Sequence, residues 1–301
     1  SAFTLVEVLV VISIIALLVA LTTGAAFRVF GTSQKKVTIA DLEKLQTKLK
    51  QQWTAVIDTA RKESIPTGVK NWAGGDISRA RVIWTKLRLK QQFPQNYAEA
   101  VNPAGSNNPY VSSSDLRPNP RYVEVVRQSI NSGKQSSGEV QSATLLWAAL
   151  KLTRRGGVSS LQDTDLSPEA SKDTNGDGVP ELVDAWGNPF VLFRWGVGNQ
   201  KLDAQGEGED PNRLDRDTED PDHTLLDVNW NNSDDPRAQA FEGYLHPISL
   251  NINGQRARRS WYTEPTIISY GPDGQSGLGA WMSVPPASTQ ATDNLFSFEY
   301  R

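Results

Sequence analysis

The chain has 301 residues, 38% hydrophobic and 22% charged, a balance that fits an ordinary folded protein and excludes wholesale disorder or a polytopic membrane protein. It has no cysteine and only two histidines, His223 and His246. Disulfides, thiolate zinc sites and thiol catalysis are therefore excluded, and a multi-histidine metal centre or histidine relay is disfavoured. The net charge of −3 conceals a division: residues 1–155 carry 21 Lys and Arg against 10 Asp and Glu, and residues 156–301 carry 10 against 24. The basic half lacks the interleaved aromatics and glycine loops of nucleic-acid grooves, so no nucleic-acid partner is expected. The acidic half invites hard cations, and copies of the chain would attract one another head to tail.

From Val8 to Phe27 no residue is charged. A helix of that length spans about 30 Å, the hydrocarbon thickness of a bilayer. A secretory signal would have an apolar core of only ~7–15 residues preceded by basic residues. Here no Lys or Arg precedes the run and no initiating Met is present, so the expectation is an already trimmed segment that belongs to the working protein. After the run, Val37, Leu42, Leu45, Leu49, Trp53, Val56 and Ala60 recur mostly at intervals of three and four, with no Pro before Pro66. That spacing predicts one amphipathic helix continuous with the apolar segment, about 60 residues in all. Glu7 stands at the head of the run, where a carboxylate deep in lipid would cost ~2.5–3.5 kcal/mol. Two readings are open: a first-turn acid favoured by the helix dipole at the lipid interface, or a carboxylate that pairs with a cation of a neighbouring subunit.

Phe3-Thr4-Leu5-Val6-Glu7 followed by Val8-Leu9-Val10-Val11-Ile12 resembles the class III signal of type IV pilins and type II secretion pseudopilins. The resemblance implies that a prepilin peptidase cuts between Ala2 and Phe3 and that the Phe3 amino group is N-methylated. It also implies that Glu7 neutralises the Phe3 terminus of the adjacent subunit. The family usually has Gly before the cut, whereas this chain has Ala2. Gly24 lies near the family's helix-breaking Pro, and its low helix propensity would allow a similar local melting. Arg28, Lys35 and Lys36 after the run would by themselves place the following part in the cytoplasm. The family's removed basic leader reverses that count and puts the head outside.

Beyond Pro66, Asp76 predicts a helix cap over roughly 77–92, with Ile77, Ala80, Ile83 and Leu87 on one face and Pro94 ending it. Residues 102–120 read as a loop, Pro120 suits the first turn of a helix to about Ile130, and a further helix is expected over 139–154, closed by Arg154, Arg155 and Gly156. After residue 185, Pro189–Trp195, Tyr244–Ile252, Thr266–Tyr270 and Leu295–Tyr300 read as strands. The segment 203–235, with 12 Asp and Glu, reads as a solvated acidic loop. The whole predicts an α+β fold: a pilin-like lollipop with the long N-terminal helix over 1–63 (3–30 apolar, 31–63 amphipathic) packed against a globular head over 64–301. The head divides into a mainly helical part, 64–183, and a C-terminal antiparallel sheet region, 184–301, with an acidic insertion at about 199–260.

Two loops carry metal-binding patterns. Asp173-Thr174-Asn175-Gly176-Asp177-Gly178-Val179 with Asp184 at position 12 matches D-x-N-x-D-G. That spacing offers side-chain oxygens of Asp173, Asn175 and Asp177, the Val179 carbonyl and the Asp184 carboxylate to one Ca²⁺, with Gly178 allowing the sharp turn. Asp at position 12, where an EF-hand has Glu, resembles the dockerin loop; the alternative is a metal-free polar turn. The second loop, Tyr270-Gly271-Pro272-Asp273-Gly274 with Asp293-Asn294-Leu295, combines with Asp184-Ala185-Trp186-Gly187-Asn188-Pro189-Phe190 to resemble the C-terminal half of the major type II pseudopilin. That resemblance implies calcium held by Asp273 and Asp293; the alternative is a polar hairpin loop. It spans about 3–60, 184–196 and 264–300 and leaves the rest of the enlarged head without a counterpart.

The expected function is a structural subunit of a helical filament, homopolymeric through the N-terminal helix. Before assembly it would be held in the bacterial inner membrane, then passed by an assembly platform to the periplasm or cell surface. The alternative is a low-abundance minor pseudopilin or tip adhesin, against which Glu7 counts, because the large tip pseudopilin usually lacks that acid. No H-E-x-x-H, G-x-S-x-G, S-x-x-K, Walker or Rossmann pattern is present, and no enzymatic activity is expected.

Overall fold

The computed structural model of the chain describes residues 5–206, 216–227, 229–230, 235–252, 255–258, 260–283 and 289–300. Helix α1 runs from Leu5 to Lys62, 58 residues and about 87 Å long. No proline interrupts it, Glu7 sits in its first turn, and Arg61 and Lys62 complement the dipole in its last. Leu5–Thr23 has a mean hydropathy of 2.9, has no buried residue, and is long and apolar enough to cross a bilayer. Farther along, Leu42, Leu45, Leu49 and Ala60 are fully buried and Trp53 and Val56 nearly so, whereas Val37 is partly exposed. The one-sided stripe is therefore the surface on which the rest of the chain packs. Each of its large side chains contributes about 1.5–3 kcal/mol on leaving water.

Polar groups fix how far along α1 the head sits. The Asp41 carboxylate accepts from the Ser167 amide (2.9 Å) and hydroxyl (2.6 Å). Buried Gln46 donates to the Pro265 carbonyl (2.7 Å) and accepts from the Ser297 hydroxyl (2.7 Å), which in turn accepts from the Ile267 amide (2.9 Å). These bonds are met only in one register, because a shift of α1 by one turn would leave buried donors and acceptors unpaired.

The head begins with α2 (Thr67–Trp72) and α3 (Ile77–Gln92), the latter capped by Asp76, whose carboxylate accepts from the Arg79 amide at 2.8 Å. Ala80, Ile83 and Leu87 turn inward as their spacing predicts, but Ile77 remains exposed. Next come α4 (Tyr97–Val101), α5 (Pro120–Asn131, with Pro120 in the first turn) and α6 (Gly138–Trp147), which passes into a π-helical turn at Ala148–Leu152. The helix expected to run to 154 thus ends sooner, and Arg155 is not a solvated end charge. Its guanidinium is buried over the Phe93 ring and donates to the Gln92 side chain (3.0 Å) and carbonyl (2.9 Å), the Ala149 carbonyl (3.0 Å), the Gln52 side chain and the Tyr122 hydroxyl. One side chain thereby joins α1, α3, α5 and the π-turn, using the planar fork of donors that only arginine offers.

The strands are short. A ribbon pairs β1 (Ser171–Lys172) with β2 (Glu181–Leu182), Lys172 lying opposite Glu181. Strand β3 (Val191–Phe193) is followed by α7 (Gln200–Asp203) and α8 (Pro236–Tyr244), then by a second ribbon of β4 (Ser249–Ile252) and β5 (Gln255–Arg258). Strands β6 (Thr266–Ser269) and β7 (Leu295–Phe296) join β3 in an antiparallel sheet of order β3-β6-β7 against α1. The fold is α+β, with its central sheet C-terminal. Tyr244 closes a helix and does not open a strand, and residues after Phe296 turn into a 3₁₀ helix.

The acidic segment 203–235 departs most from expectation. Its described part sends Asp217, Glu219 and Asp220 into the interior. Glu219 accepts from the Trp53 and Trp195 indoles (3.2 and 3.0 Å) and, with Asp217, binds the fully buried Lys86 ammonium at 2.6 and 3.0 Å. A Lys with no exposed atoms needs such partners, and Lys86 lies too far away in sequence for the pairing to be read there.

Nearby buried groups make stability acid-sensitive. Burial alone would raise the Glu99 carboxyl, but Arg194 at 2.6 and 2.8 Å, with Lys90 beyond, outweighs it and holds Glu99 at about 2 against an ordinary 4.5. Burial, then the Lys86 charge, lowers His246 to about 3 from 6.5. Both folded values are depressed, so each group's contribution is complete above the ordinary value and is lost as pH falls towards the folded one. The full-length protein in detergent should exceed Glu99→Gln in unfolding free energy by about 3 kcal/mol at pH 7, a gap that closes between pH 4.5 and 2. His246→Gln should gain on the wild type below pH 6.5; denaturant titrations across pH measure both.

Candidate metal centre

The residues between β1 and β2 form an eight-residue hairpin loop, 173–180, that turns on itself through its own side chains. Asp173 accepts from the amides of Gly176 (2.7 Å), Asp177 (3.2 Å) and Gly178 (2.9 Å). Asn175 accepts from the Asp177 amide (3.0 Å), and Asp177 from the Val179 amide (2.8 Å). Gly178 has φ +84°, which a side chain would make costly. The loop rests on the end of α5: Ser129 donates its hydroxyl to Asp177, Gln128 donates to the Gly178 carbonyl (2.8 Å), and Asn175 donates to Ser136 (3.0 Å).

This folding brings Asp173, Asp177 and Glu181 together, one carboxylate oxygen of each lying within 4.8 Å of the others. Asp173 is exposed, whereas Asp177 is almost and Glu181 completely buried. Glu181 accepts from the Thr174 amide at 2.6 Å through one oxygen, and its other oxygen is buried without a partner. Burial pushes the Glu181 carboxyl up, the Thr174 amide opposes this, and the charges of Asp177 and Asp173 raise it further. Among the described residues none of the three carboxylates forms a salt bridge.

Asp184, the expected position-12 ligand, is not among these carboxylates. A loop that leaves into a helix can bring its twelfth residue back to the first. This one leaves into β2, where each residue advances about 3.3 Å and carries position 12 away. Glu181, at position 9 and opposite Lys172 at the mouth of the ribbon, is the residue that lies with Asp173 and Asp177. Asp184 instead closes the next turn: its carboxylate accepts from the amides of Trp186 and Asn188 (both 2.9 Å) and from the Ser269 hydroxyl on β6 (2.6 Å). The turn also meets α1, the Ala185 amide donating to Thr38 (3.1 Å) and Gln34 donating to the Ala185 carbonyl (3.1 Å). Side-chain oxygens at alternate positions 173, 175 and 177, with another in phase at 181, were the signal in the sequence that could have identified Glu181.

The second loop is assembled from the segments its sequence suggested. Gly271 has φ +70°, and a Cβ there would lie 2.7 Å from the Asp293 carbonyl oxygen and 2.8 Å from its carboxylate, so only glycine permits the approach. Asn188 donates to the Gly271 carbonyl (2.7 Å) and Asn294 to that of Ser276 (2.6 Å). Asp273 accepts from the Gln275 amide at 2.8 Å, an Asx-type turn. Asp273 and Asp293 thus belong to one loop pair, but with no third carboxylate among the described residues to match the first site. Glu7 lies exposed in the first turn of α1, and α1 passes through Gly24 without a break. Ala2 and Phe3 lie outside the described residues.

No protein-family model, curated protein or solved structure matches the chain. Asp184→Ala removes the acceptor of its buried turn and should lower unfolding free energy by about 1–3 kcal/mol, whereas Asp273→Ala, on an exposed loop, should change it by less than about 0.5 kcal/mol. Denaturant unfolding in chelator tests both values.

Proposed function

We propose that the protein is the structural subunit of a type IV pilus-like or type II pseudopilus-like helical filament. The observation that carries this reading is α1 itself: an unbroken helix, apolar and exposed all round over Leu5–Thr23, whose continuation is buried on one face in the head. A soluble monomer has no use for such an exposed cylinder, which needs lipid or sister helices around it. In this reading the segment anchors the protomer in the bacterial inner membrane after a prepilin peptidase has cut between Ala2 and Phe3. An assembly platform then passes it into the filament core, where Glu7 pairs with the methylated Phe3 terminus of its neighbour. Gly24 supplies the point where the helix melts on packing, and the heads form the outer surface. Calcium at the loop of Asp273 and Asp293 belongs to the same reading.

The size of the head supports the second reading, a low-copy minor pseudopilin or tip adhesin; abundance separates the two. Filaments purified from producing cells should consist mainly of this chain, with an N-methylated Phe3 as the first residue by mass spectrometry. Glu7→Ala should reduce filament yield at least about tenfold while leaving the membrane-bound pool intact. Recovery of the chain solely as a membrane monomer, or as a trace component, would reject the main reading.

A further inference from the structure

We propose that the hairpin loop 173–181 is a Ca²⁺ site built by Asp173, Asp177 and Glu181, and that the ion fastens this hairpin to the end of helix α5. The proposal does not rest on the filament reading. Three carboxylates with oxygens within 4.8 Å of one another carry mutual repulsion that no salt bridge among the described residues relieves. The second, independent observation is the Glu181 oxygen that is buried without a donor, beside the two aspartates. A completely buried carboxylate oxygen without a partner is costly, and a cation among the three would satisfy it.

The remaining acceptor capacity points the same way. Each carboxylate can accept about four hydrogen bonds. Asp173 accepts three from loop amides, and Asp177 accepts from Val179, Ser129 and Asn175. Among the described residues Glu181 accepts from Thr174 alone, which leaves it the most capacity. The existing bonds aim and hold the carboxylates before any ion arrives, so little ordering remains to oppose binding. The donor set is all oxygen: three carboxylates, with the Asn175 amide and the Val179 carbonyl at the alternating positions between them. Without His or Cys, such a set favours a hard cation over zinc or copper. A peptide loop with mixed carboxylate and carbonyl donors suits the variable geometry of Ca²⁺ better than the strict octahedron of Mg²⁺. Because Asp177 also takes the Ser129 hydroxyl, an ion at this place couples the hairpin to α5 and not to β6, to which Asp184 is committed.

The test is calorimetric Ca²⁺ titration and thermal unfolding of the full-length protein in detergent, in an Asp273→Asn background that weakens any site in the C-terminal loop. The expected result is one Ca²⁺ per chain, Mg²⁺ bound at least about tenfold more weakly, and a melting temperature roughly 5 °C higher in saturating Ca²⁺ than in chelator. Glu181→Gln should weaken Ca²⁺ binding by more than about tenfold and, by removing a repelling charge, melt no lower than the parent in chelator. Asp173→Asn, which keeps an acceptor oxygen for the loop amides while removing the charge, should weaken binding similarly. Asp184→Asn should change the affinity by less than about threefold. Absence of Ca²⁺ binding, equal binding of Mg²⁺, or a loss caused by Asp184→Asn and not by Glu181→Gln or Asp173→Asn would overturn the assignment. None of these outcomes bears on whether the chain forms filaments.

Discussion

A helix that is apolar on every side for its first five turns and on one side thereafter cannot be satisfied by water along either half. The second half resolves the conflict within the chain, since Leu42, Leu45, Leu49, Trp53, Val56 and Ala60 form the strip against which helices and sheet collect. Over Leu5–Thr23 nothing among the described residues covers the first half. Most of what the head looks like follows from the need to dress one face of α1, and most of what the protein is proposed to do follows from the uncovered remainder. Arg155 and Gln46 turn this sticky stripe into a specific junction, since each satisfies several buried groups from different elements at once.

The interior carries more charge than its surroundings would tolerate singly. Lys86 with Asp217 and Glu219, Glu99 with Arg194, and Arg216 with Asp203 (2.9 Å) are all buried or nearly so. Such groups rarely add net stability over apolar replacements of the same shape, but removing one partner is costly. Their effect here is to tie segments distant in sequence to fixed partners. The acidic stretch after residue 203 is drawn in because the basic first half of the chain supplies Lys86, and the indoles of Trp53 and Trp195 supply donors to Glu219.

The hairpin at 173–181 shows the opposite balance. Its carboxylates are gathered by backbone turns and by Ser129, but among the described residues no cationic side chain forms an ion pair with them. Glu219 is met by an ammonium and two indoles, whereas at Glu181 one buried oxygen has no partner among the described residues. That contrast separates a structural ion cluster from a candidate ion site more clearly than acidity itself.

Periodicity and local chemistry were enough to define α1, the Asp76 cap of α3, the Pro120 start of α5 and the general position of the strands around β3 and β6, because each depends on residues within a few positions of one another. The D-x-N-x-D-G spacing likewise marked the loop at 173, whose turn is made by its own Asp, Asn and Gly. The same local spacing offered both Glu181 and Asp184 at its far end and did not choose between them. Whether Asp184 or Glu181 completes it depends on the chain leaving into a strand paired with residues 171–172, a long-range choice that carries Asp184 to Ser269. Arg155, read as a helix-end charge, and Glu219, read as a solvated acid, became interior partners for the same reason. The chain's own order determines which faces are apolar and which turns can form, but the partner of a buried charge is decided only when distant segments pack and exclude the water that would otherwise have solvated it.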